Sequence, residues 1–281
     1  MPELPEVETI VNGLRPRVVG RTICSIIIRD TRPLQKVTPE EFCERLTGRS
    51  IEGLSRRGKY IIFGLSDGEN LMVHLRMTGA LLWNPAAPEP FSRLEFMLDG
   101  GSRLVYTDVR RFGTFNLAKD PEEIVGKLGI EPLGSKFTRA ALAEYLGSHP
   151  TPVKSALLNQ ERIAGIGNMY ADEALFDAKI HPLRASDSLN RREIAALHGS
   201  IRSVLKRAVE NKGASIRNYR CPDGTEGRAQ EEFAVAHRGG RPCPRCSTTV
   251  TRIVVGQRGT YLCPRCQRRP KTTASKIRAN T

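Results

Sequence analysis

A chain of 281 residues with 39% hydrophobic and 26% charged residues is long enough for two domains and has the composition of a soluble globular protein. It has no apolar run of 18 residues and no secretory pattern at its start, which argues against a membrane span and predicts a cytosolic, nucleoid-associated protein. The net charge is +14, and the segment 241–281 holds ten Lys or Arg and no Asp or Glu. A long segment of one sign favours a polyanion as partner over an anionic membrane, because no apolar helical face accompanies it.

The first nine residues, MPELPEVET, predict the start of a helix and leave two residues unexplained. Apolar residues recur at helical spacing over 7–14, and Pro5 suits the first turn. Pro2 and Glu3 precede that helix. If Met1 is removed, Pro2 presents a secondary amine that titrates near ~8, is partly neutral at physiological pH, and can form an iminium with a carbon centre. Glu3 can serve as the general acid or base for that attack, although these nine residues alone favour the structural interpretation.

Alternating apolar and polar residues after this helix predict a β-rich domain. A capping box at Thr38, with Pro39 at the first helical position, predicts a short helix to about Leu46. Asp-Gly pairs at 67–68 and 99–100 mark two hairpins. Eight short, closely spaced segments favour an antiparallel sandwich over a parallel βαβ sheet, and these predicted strands are 22–29, 49–56, 59–65, 70–76, 79–84, 92–98, 102–108 and 113–118.

Helical spacing replaces alternation after a linker that contains Gly, Pro and Ser at 129–137. The polar segment 214–232 is predicted to be a mobile loop, and long loops in compact domains are often functional. The helices predicted between them, with capping residues at Thr138 and Asn190, are 138–146, 151–159, 168–176 and 190–212.

Several short motifs admit both a structural and a functional interpretation. The Gly-Ile-Gly-Asn segment at 165–168 suits a phosphate seat at a helix start, and it equally suits a plain turn between helices. The basic clusters 56–59 and 110–113 are typical of solvated strand ends, but Phe112 in the second also suits an apolar wedge that opens a duplex. Core packing is the default interpretation for His74 and Met77.

The seven cysteines divide into three isolated residues and one cluster. The isolated Cys24, Cys43 and Cys221 are interpreted as small buried hydrophobes or inert thiols. Strands at 250–255 and 260–262 form a ribbon with 257–259 at its tip, which suits either a phosphate contact or a structural role. Two C-x2-C pairs separated by sixteen residues predict one structural Zn²⁺ site closed by four thiolates, which are Cys243, Cys246, Cys263 and Cys266.

Six ordered motifs resemble the bacterial formamidopyrimidine-DNA glycosylase family over about residues 2–268. The resemblance implies an α+β fold, in which an N-terminal antiparallel β-sandwich with flanking helices precedes a C-terminal helix-two-turns-helix domain with a zinc ribbon. It implies domains at 1–130, 131–235 and 236–270, followed by a basic tail at 271–281. The motifs are PELPEVET at 2–9, RGKY at 57–60, HLRMTG at 74–79, DVRRFG at 108–113, GIGNMYADE at 165–173, and the cysteine ribbon with Gln257 and Arg258.

The same resemblance implies a bifunctional base-excision repair enzyme. Such an enzyme removes oxidised purines (8-oxoguanine and formamidopyrimidines) from double-stranded DNA and cleaves the abasic site by β,δ-elimination. The implied protein is a monomer with one Zn²⁺. Loop 214–232 matches the family's segment that closes over an extruded purine, and base flipping would expose the sugar carbon that an amine must attack.

The resemblance also implies a role for each candidate residue. Pro2 would attack C1′, Glu3 would handle protons at the sugar, Glu6 would support the pocket, and Lys59 would lie at the lesion and its phosphates. Among the DNA-binding residues, Arg110 would face the orphaned cytosine. The gap left by the flipped base would be filled by Met77, Arg110 and Phe112, and phosphates would be held by His74, Arg111, Asn168 and Arg258, of which Arg258 is counted with the catalytic set.

Two alternatives stay open at this point. The nearer one is an endonuclease VIII-like enzyme for oxidised pyrimidines, against which Leu4, the wedge residues and the long loop argue. The other is a non-catalytic protein that binds damaged DNA and retains the fold, against which the intact Pro2, Glu3 and Lys59 argue.

Overall fold

The structure, a computed structural model, describes residues 1–148 and 150–269. Contacts group these residues into two compact units. Unit 1 comprises 1–137, 159–167 and 202–232, and unit 2 comprises 138–158, 168–201 and the described residues from 233 onward. The division into three domains remains a prediction, and the basic tail at 271–281 lies outside the described residues. Within the described ranges, no helix is both long and apolar enough to cross a membrane.

Unit 1 is built on two antiparallel sheets of four strands each, in the orders β1-β6-β7-β5 and β2-β3-β4-β8. The predicted antiparallel sandwich and all eight of its strands are therefore confirmed. The Asp-Gly pairs connect β3 to β4 and β6 to β7, and Gly68 and Gly100 have φ of 78° and 66° there. The elements are α1 (Leu4–Val18), β1 (Ile23–Ile28), α2 (Pro39–Leu46), β2 (Ile51–Arg57), β3 (Tyr60–Leu65), β4 (Asn70–His74), β5 (Gly79–Trp83), β6 (Ser92–Leu98), β7 (Arg103–Asp108), β8 (Thr114–Ala118) and α3 (Glu122–Val125).

Aromatic residues join the two sheets in one hydrophobic core. The ring of Phe115 on β8 stacks on Phe96 of β6 at 6.1 Å between centroids and meets Tyr106 of β7 edge-on at 4.7 Å. Phe42 of α2 packs against both phenylalanines. Truncation of such a buried ring costs about 3–5 kcal/mol. The alternation seen in the sequence is thus the alternation between this core and the outer faces.

Helix α1 closes one side of this core because its apolar stripe is complete. Val7, Ile10, Val11 and Leu14 have no exposed surface. The helix begins at Leu4 with Glu3 as its N-cap residue, and the N–H of Glu3 donates to Glu6 Oε2 at 2.7 Å. That bond fixes the chain immediately before the helix, where the predicted site residues lie.

Unit 2 contains short helices and a two-stranded ribbon, namely α4 (Arg139–Gly147), α5 (Val153–Leu158), α6 (Asn168–Asp177), the residues of α7 (Arg191–Glu210) up to Ile201, β9 (Thr251–Val255) and β10 (Arg258–Leu262). Both predicted caps are confirmed. Thr138 Oγ1 accepts a bond from the N–H of Ala141 at 3.1 Å. Asn190 and Glu193 each accept from the other's N–H, at 3.0 and 2.9 Å.

The ribbon tip differs from its prediction. Gly256 and Gln257 are the two turn residues, with φ of 53° and 61°, and Arg258 pairs with Val255 in the ladder. A two-residue turn with both φ positive matches the twist of the strands. The predicted tip at 257–259 is therefore wrong, because Arg258 and Gly259 already belong to β10.

Candidate active site and nucleic-acid interface

The start of the chain is buried against the glycine turn at 165–167. Glu3 is 1% exposed, and the N–H of Leu4 donates to the carbonyl of Gly165 at 3.0 Å. Gly165 has a φ of 87°, and a Cβ at Gly167 would lie 2.5 Å from Glu3 Oε1. Both glycines are therefore needed for the close approach of this segment, which supports the structural interpretation of the turn.

Lys59 reaches the same turn from the β2–β3 hairpin. Its Nζ donates to the carbonyl of Ile166 at 3.0 Å, and the side chain of Gln160 donates to that carbonyl at 2.8 Å. Lys59 is only 8% exposed. The structure thus brings Glu3, Lys59 and the residue before Glu3, Pro2, to one buried turn of unit 1.

Glu6 connects α1 to the predicted loop. Its Oε1 accepts the N–H of Ala214 at 2.7 Å while its Oε2 accepts that of Glu3. The hydroxyl of Tyr219 donates to the carbonyls of Lys212 and Glu6 at 3.0 and 3.4 Å. The loop, predicted to be mobile, is in this structure folded against α1.

The first basic cluster differs from the prediction of solvated side chains. Arg56 has a side chain only 10% exposed and forms ion pairs with Glu8 at 2.5 Å and Glu131 at 2.8 Å. Arg57 pairs with Glu131 at 3.0 Å. The charges of both arginines are therefore neutralised within unit 1. The third cation of this cluster, Lys59, lies instead at the glycine turn.

The wedge candidates are exposed apolar side chains. Phe112 is 52% exposed and Met77 is 37% exposed, so the default assignment of Met77 to the core is wrong. The guanidinium of Arg110 lies 4.7 Å from the centroid of the Phe112 ring. Exposed large hydrophobes on a structured turn are typical of a contact surface.

Asp108, to which sequence reasoning assigned no role, accepts hydrogen bonds from the turn at 110–113, here called the wedge turn. It is 1% exposed, and its Oδ2 accepts from the N–H of Phe112, the N–H of Gly113 and the Tyr106 hydroxyl, each at 2.9 Å. Its Oδ1 accepts from Thr78 and from the N–H of Arg110. Burial alone would raise the pKa of Asp108, but these hydrogen bonds hold it below its ordinary value. Its position at the end of β7, directly before a basic turn, was the only sequence signal.

His74 is a buried neutral imidazole, which confirms its default assignment. Its Nδ1 accepts the N–H of Arg76 at 3.0 Å, which leaves the proton on Nε2. Burial, with the nearby charges of Arg76 and Lys59, lowers the pKa of His74 to about 3. Nε2–H is therefore a hydrogen-bond donor at any physiological pH. Arg111, another candidate for binding phosphate, has a φ of 59°, and its guanidinium lies 3.5 Å from the carboxylate of Asp30.

In unit 2, a buried ion pair holds the ribbon beside the two remaining candidates. The Nδ2 of Asn168 donates to the carbonyl of Gly259 at 2.9 Å, next to the exposed Arg258. Lys154 Nζ lies 2.7 Å from Asp172 and donates to Thr260 at 2.8 Å. Burial raises the pKa of Asp172 and the charge of Lys154 opposes that shift. This lysine, fully buried in α5, was not found from the sequence because nothing local distinguishes it from a solvated one.

The four clustered cysteines have the geometry of a closed zinc site. Their Sγ atoms all lie within 4.8 Å of one another, and three of the pairs are 3.5, 3.5 and 3.9 Å apart. Tetrahedral Zn²⁺ with sulfur ligands at 2.3 Å requires about 3.8 Å between sulfurs. The cluster therefore fits one structural Zn²⁺, with no open position for substrate. Of the isolated cysteines, Cys221 is buried as predicted, whereas Cys24 is exposed and Cys43 partly so.

Three family models match the chain: the formamidopyrimidine-DNA glycosylase N-terminal domain at residues 1–115, the H2TH domain of the same glycosylase at 128–220, and a zinc finger found in FPG and IleRS at 240–269. The formamidopyrimidine-DNA glycosylase of Symbiobacterium thermophilum is 46% identical over 280 residues, which is 98% of this chain and 92% of that protein. Lactococcus lactis Fpg was solved with DNA containing an abasic site (TM-score 0.88, 38% identity) and with DNA containing Fapy-dG (TM-score 0.87, 37% identity), and each match covers 95% of this chain and 100% of the other.

Fold, zinc finger and relatives together define a DNA-repair glycosylase. The chain belongs to the formamidopyrimidine-DNA glycosylase family, a family of bifunctional enzymes that combine glycosylase and abasic-site lyase activity.

Proposed function

We propose that this protein removes oxidised purines from double-stranded DNA and cuts the abasic site through an iminium formed at Pro2. The observation that carries this proposal is the burial of Glu3 and Lys59 at one glycine turn, immediately beside Pro2. A carboxylate and an ammonium group beside a potential secondary amine supply the groups that displacement at a sugar carbon requires. The relatives solved with Fapy-dG and abasic-site DNA support the substrate class.

The proposed nucleophile is the nitrogen of Pro2 after removal of Met1. Attack on C1′ breaks the glycosidic bond, and the base leaves with its electron pair and takes up a proton. Opening of the sugar ring then gives an iminium between Pro2 and C1′. This cation draws electrons from the neighbouring carbon, so that loss of a proton there expels the 3′ phosphate, and a second elimination expels the 5′ phosphate.

Three buried side chains support these steps in the proposal. Glu3 moves the protons at the sugar, and its contact with Gly167 restricts its position. Lys59, held by the carbonyl of Ile166, places a positive charge at the lesion and its phosphates. Glu6 joins α1 to Ala214 and so connects the nucleophile to the loop that would cover the extruded base.

Base flipping leaves a gap that the wedge residues would fill. Phe112 and Met77 supply apolar surface, and Arg110 is positioned to donate to the orphaned cytosine. Unstacking costs a few kcal/mol, and wedge side chains offset that cost when they replace the lost stacking. Asp108 keeps the wedge turn ordered in the free protein, so binding to DNA does not carry the entropic cost of ordering that turn.

Phosphate contacts would hold the strand in register. His74 offers a neutral Nε2–H, while Arg111, Asn168 and Arg258 offer charged or amide donors. Zinc, when bound by its four thiolates, folds the ribbon that carries Arg258 and takes no part in the reaction. The substrate and the net charge of +14 support a cytoplasmic location at the nucleoid.

The test compares cleavage of duplexes that contain 8-oxoguanine opposite cytosine, thymine glycol, or no lesion. We expect cleavage of the first, and a covalent complex trapped by borohydride whose cross-linked peptide begins with Pro2. A protein that retains Met1 should not be trapped, because its Pro2 nitrogen is an amide. Preference for thymine glycol would indicate an enzyme for oxidised pyrimidines, and binding without cleavage would indicate a non-catalytic protein.

A further inference from the structure

A cavity of about 220 Å³ lies in unit 1 beside the later turns of α1. Its wall is formed by α1, by the residues that end and follow α7, and by the 221–223 part of loop 214–232. Cys221, Pro222 and Asp223 belong to the loop that would cover the extruded base, and the other lining residues have no role in the site proposed above. On the same measure one water needs only about 10–15 Å³, so the space is large enough for a small solute.

Two cationic side chains line this cavity, and neither the guanidinium nor the ammonium group has a hydrogen bond or ion pair to another residue in the described part of the chain. They are Arg17 on α1 and Lys212 after α7. Asp223 is the carboxylate among the lining residues, and its Oδ1 already accepts the N–H and the hydroxyl of Thr225 at 3.1 and 2.6 Å. The Thr225 bonds chiefly lower the pKa of Asp223, and the charges of Lys212 and Arg17 lower it further. Two cations against one carboxylate leave an excess of positive charge.

The rest of the wall is compact and mostly apolar. The ring of Pro222 packs on Gly13, where a Cβ would lie 3.3 Å from Pro222 Cγ. The thiol of Cys221, 3% exposed, lies 3.9 Å from the hydroxyl of Tyr219. The carbonyl of Pro222 accepts the N–H of Trp83 at 2.7 Å, which holds this wall to the sandwich. An anion that enters loses hydration against the apolar part of the wall, and the two cations are the groups that would compensate for that loss.

We propose that this cavity binds a small phosphorylated solute of about the size of pyrophosphate, with Arg17 and Lys212 as its ligands. Guanidinium and ammonium groups are the usual donors to phosphoryl oxygens. The cavity of about 220 Å³ is too small for a longer polyanion such as a DNA strand, and Asp223 repels any anion, so both cations are needed to hold the solute. The occupant would connect α1 to the loop further along the helix than Glu6 does.

The bound solute restrains the loop. The carbonyl of Lys212 accepts a hydrogen bond from the hydroxyl of Tyr219, which belongs to the loop. Asp223, which also lines the cavity, belongs to the same loop. A ligand held by Arg17 and Lys212 therefore keeps 219–223 on α1. If loop 214–232 closes over an extruded base, which is part of the proposed function, the solute would regulate that closure.

The test uses Cys221 as a reporter in the full-length zinc-loaded protein. Its alkylation rate is followed by peptide mass spectrometry as sodium pyrophosphate is added, with the exposed Cys24 as internal reference and Cys243 as a check that zinc is retained. At a concentration ten times the Kd, Cys221 should react about tenfold more slowly, because only the free fraction reacts. Amide hydrogen exchange at 219–225 should slow in parallel.

Variants at the two cations test whether Arg17 and Lys212 are the side chains that bind pyrophosphate. Arg17→Met and Lys212→Met should each abolish the protection of Cys221, while Arg17→Lys and the matched surface change Lys119→Met should retain it. Unchanged alkylation of the wild-type protein at millimolar pyrophosphate would overturn the proposal. So would an equal loss of duplex affinity by both Met variants without pyrophosphate, since that result would assign the cations to DNA. None of these readouts depends on base excision, so failure of the proposed function would be seen separately.

Discussion

Asp108→Asn tests whether a buried carboxylate holds the wedge turn in place. The wild-type side chain accepts five hydrogen bonds, from two hydroxyls and three backbone N–H groups. Asparagine keeps one acceptor oxygen and turns the other into a donor. If the oxygen serves Phe112, Gly113 and Tyr106, then the N–H of Arg110 faces another N–H. We therefore expect a specific loosening of the turn that carries Arg110 and Phe112.

The expected destabilisation follows from this inventory. An unsatisfied buried donor costs about 1–3 kcal/mol, and loss of the charge weakens the remaining bonds. The N–H of Arg110 also donates to Thr78 Oγ1 at 3.0 Å, and Arg110 is exposed to water, so both partners replace part of what this N–H loses and reduce the total to about 2–3 kcal/mol. Misplacement of the wedge by about 1 Å should slow base excision from a duplex by roughly tenfold to a hundredfold.

Urea unfolding measures the stability change, and single-turnover assays measure excision of 8-oxoguanine from a duplex against cleavage of an abasic site in a single strand, which requires no duplex opening. Asp99→Asn is the matched control, because Asp99 directly follows strand β6 but is half-exposed beside Arg21. It should cost less than about 1 kcal/mol and leave both rates unchanged. The reasoning is refuted if Asp108→Asn lowers both rates equally, or destabilises the protein without slowing excision.

Three further changes probe other parts of the molecule. Gly167→Ala should abolish base excision, because its Cβ would lie 2.5 Å from Glu3 Oε1. The control Gly147→Ala, whose Cβ would have no neighbouring atom within 4 Å, should have normal excision kinetics. Equal rates for the two variants would contradict the packing argument. His74→Asn should reduce the loss of stability in acid. His74 stays neutral in the folded protein but protonates below about pH 6.5 when the chain unfolds, so the free energy of unfolding is about 2 kcal/mol lower at pH 5 than at neutral pH. Urea titrations at both pH values should show that this loss is absent in the variant. Cys263→Ser should lose zinc and most duplex affinity, as measured by metal analysis and fluorescence anisotropy, because ribbon folding and metal binding are coupled; normal affinity without zinc would show that the ribbon is dispensable.

Features that depend on residues close in the sequence were predictable. The caps at Thr138 and Asn190 act within a few residues, and the strand alternation reports which face of each strand meets the core. The zinc ligands were recognisable because each C-x2-C pair forms a local turn. The identity of the catalytic residues came from their motifs, whose order along the chain resembles one family.

Features that depend on distant residues were decided by the tertiary structure. Lys59 meets the carbonyl of Ile166 across 107 positions, and Lys154 meets Thr260 across 106. Arg56 looked like a solvated cation until the fold brought Glu8 and Glu131 to it. Local sequence specifies backbone conformation, because capping and alternation act over a few bonds. Whether a charge is solvated or buried and paired depends on which distant segments the packing brings beside it, since removal from water is favourable only when a partner is supplied.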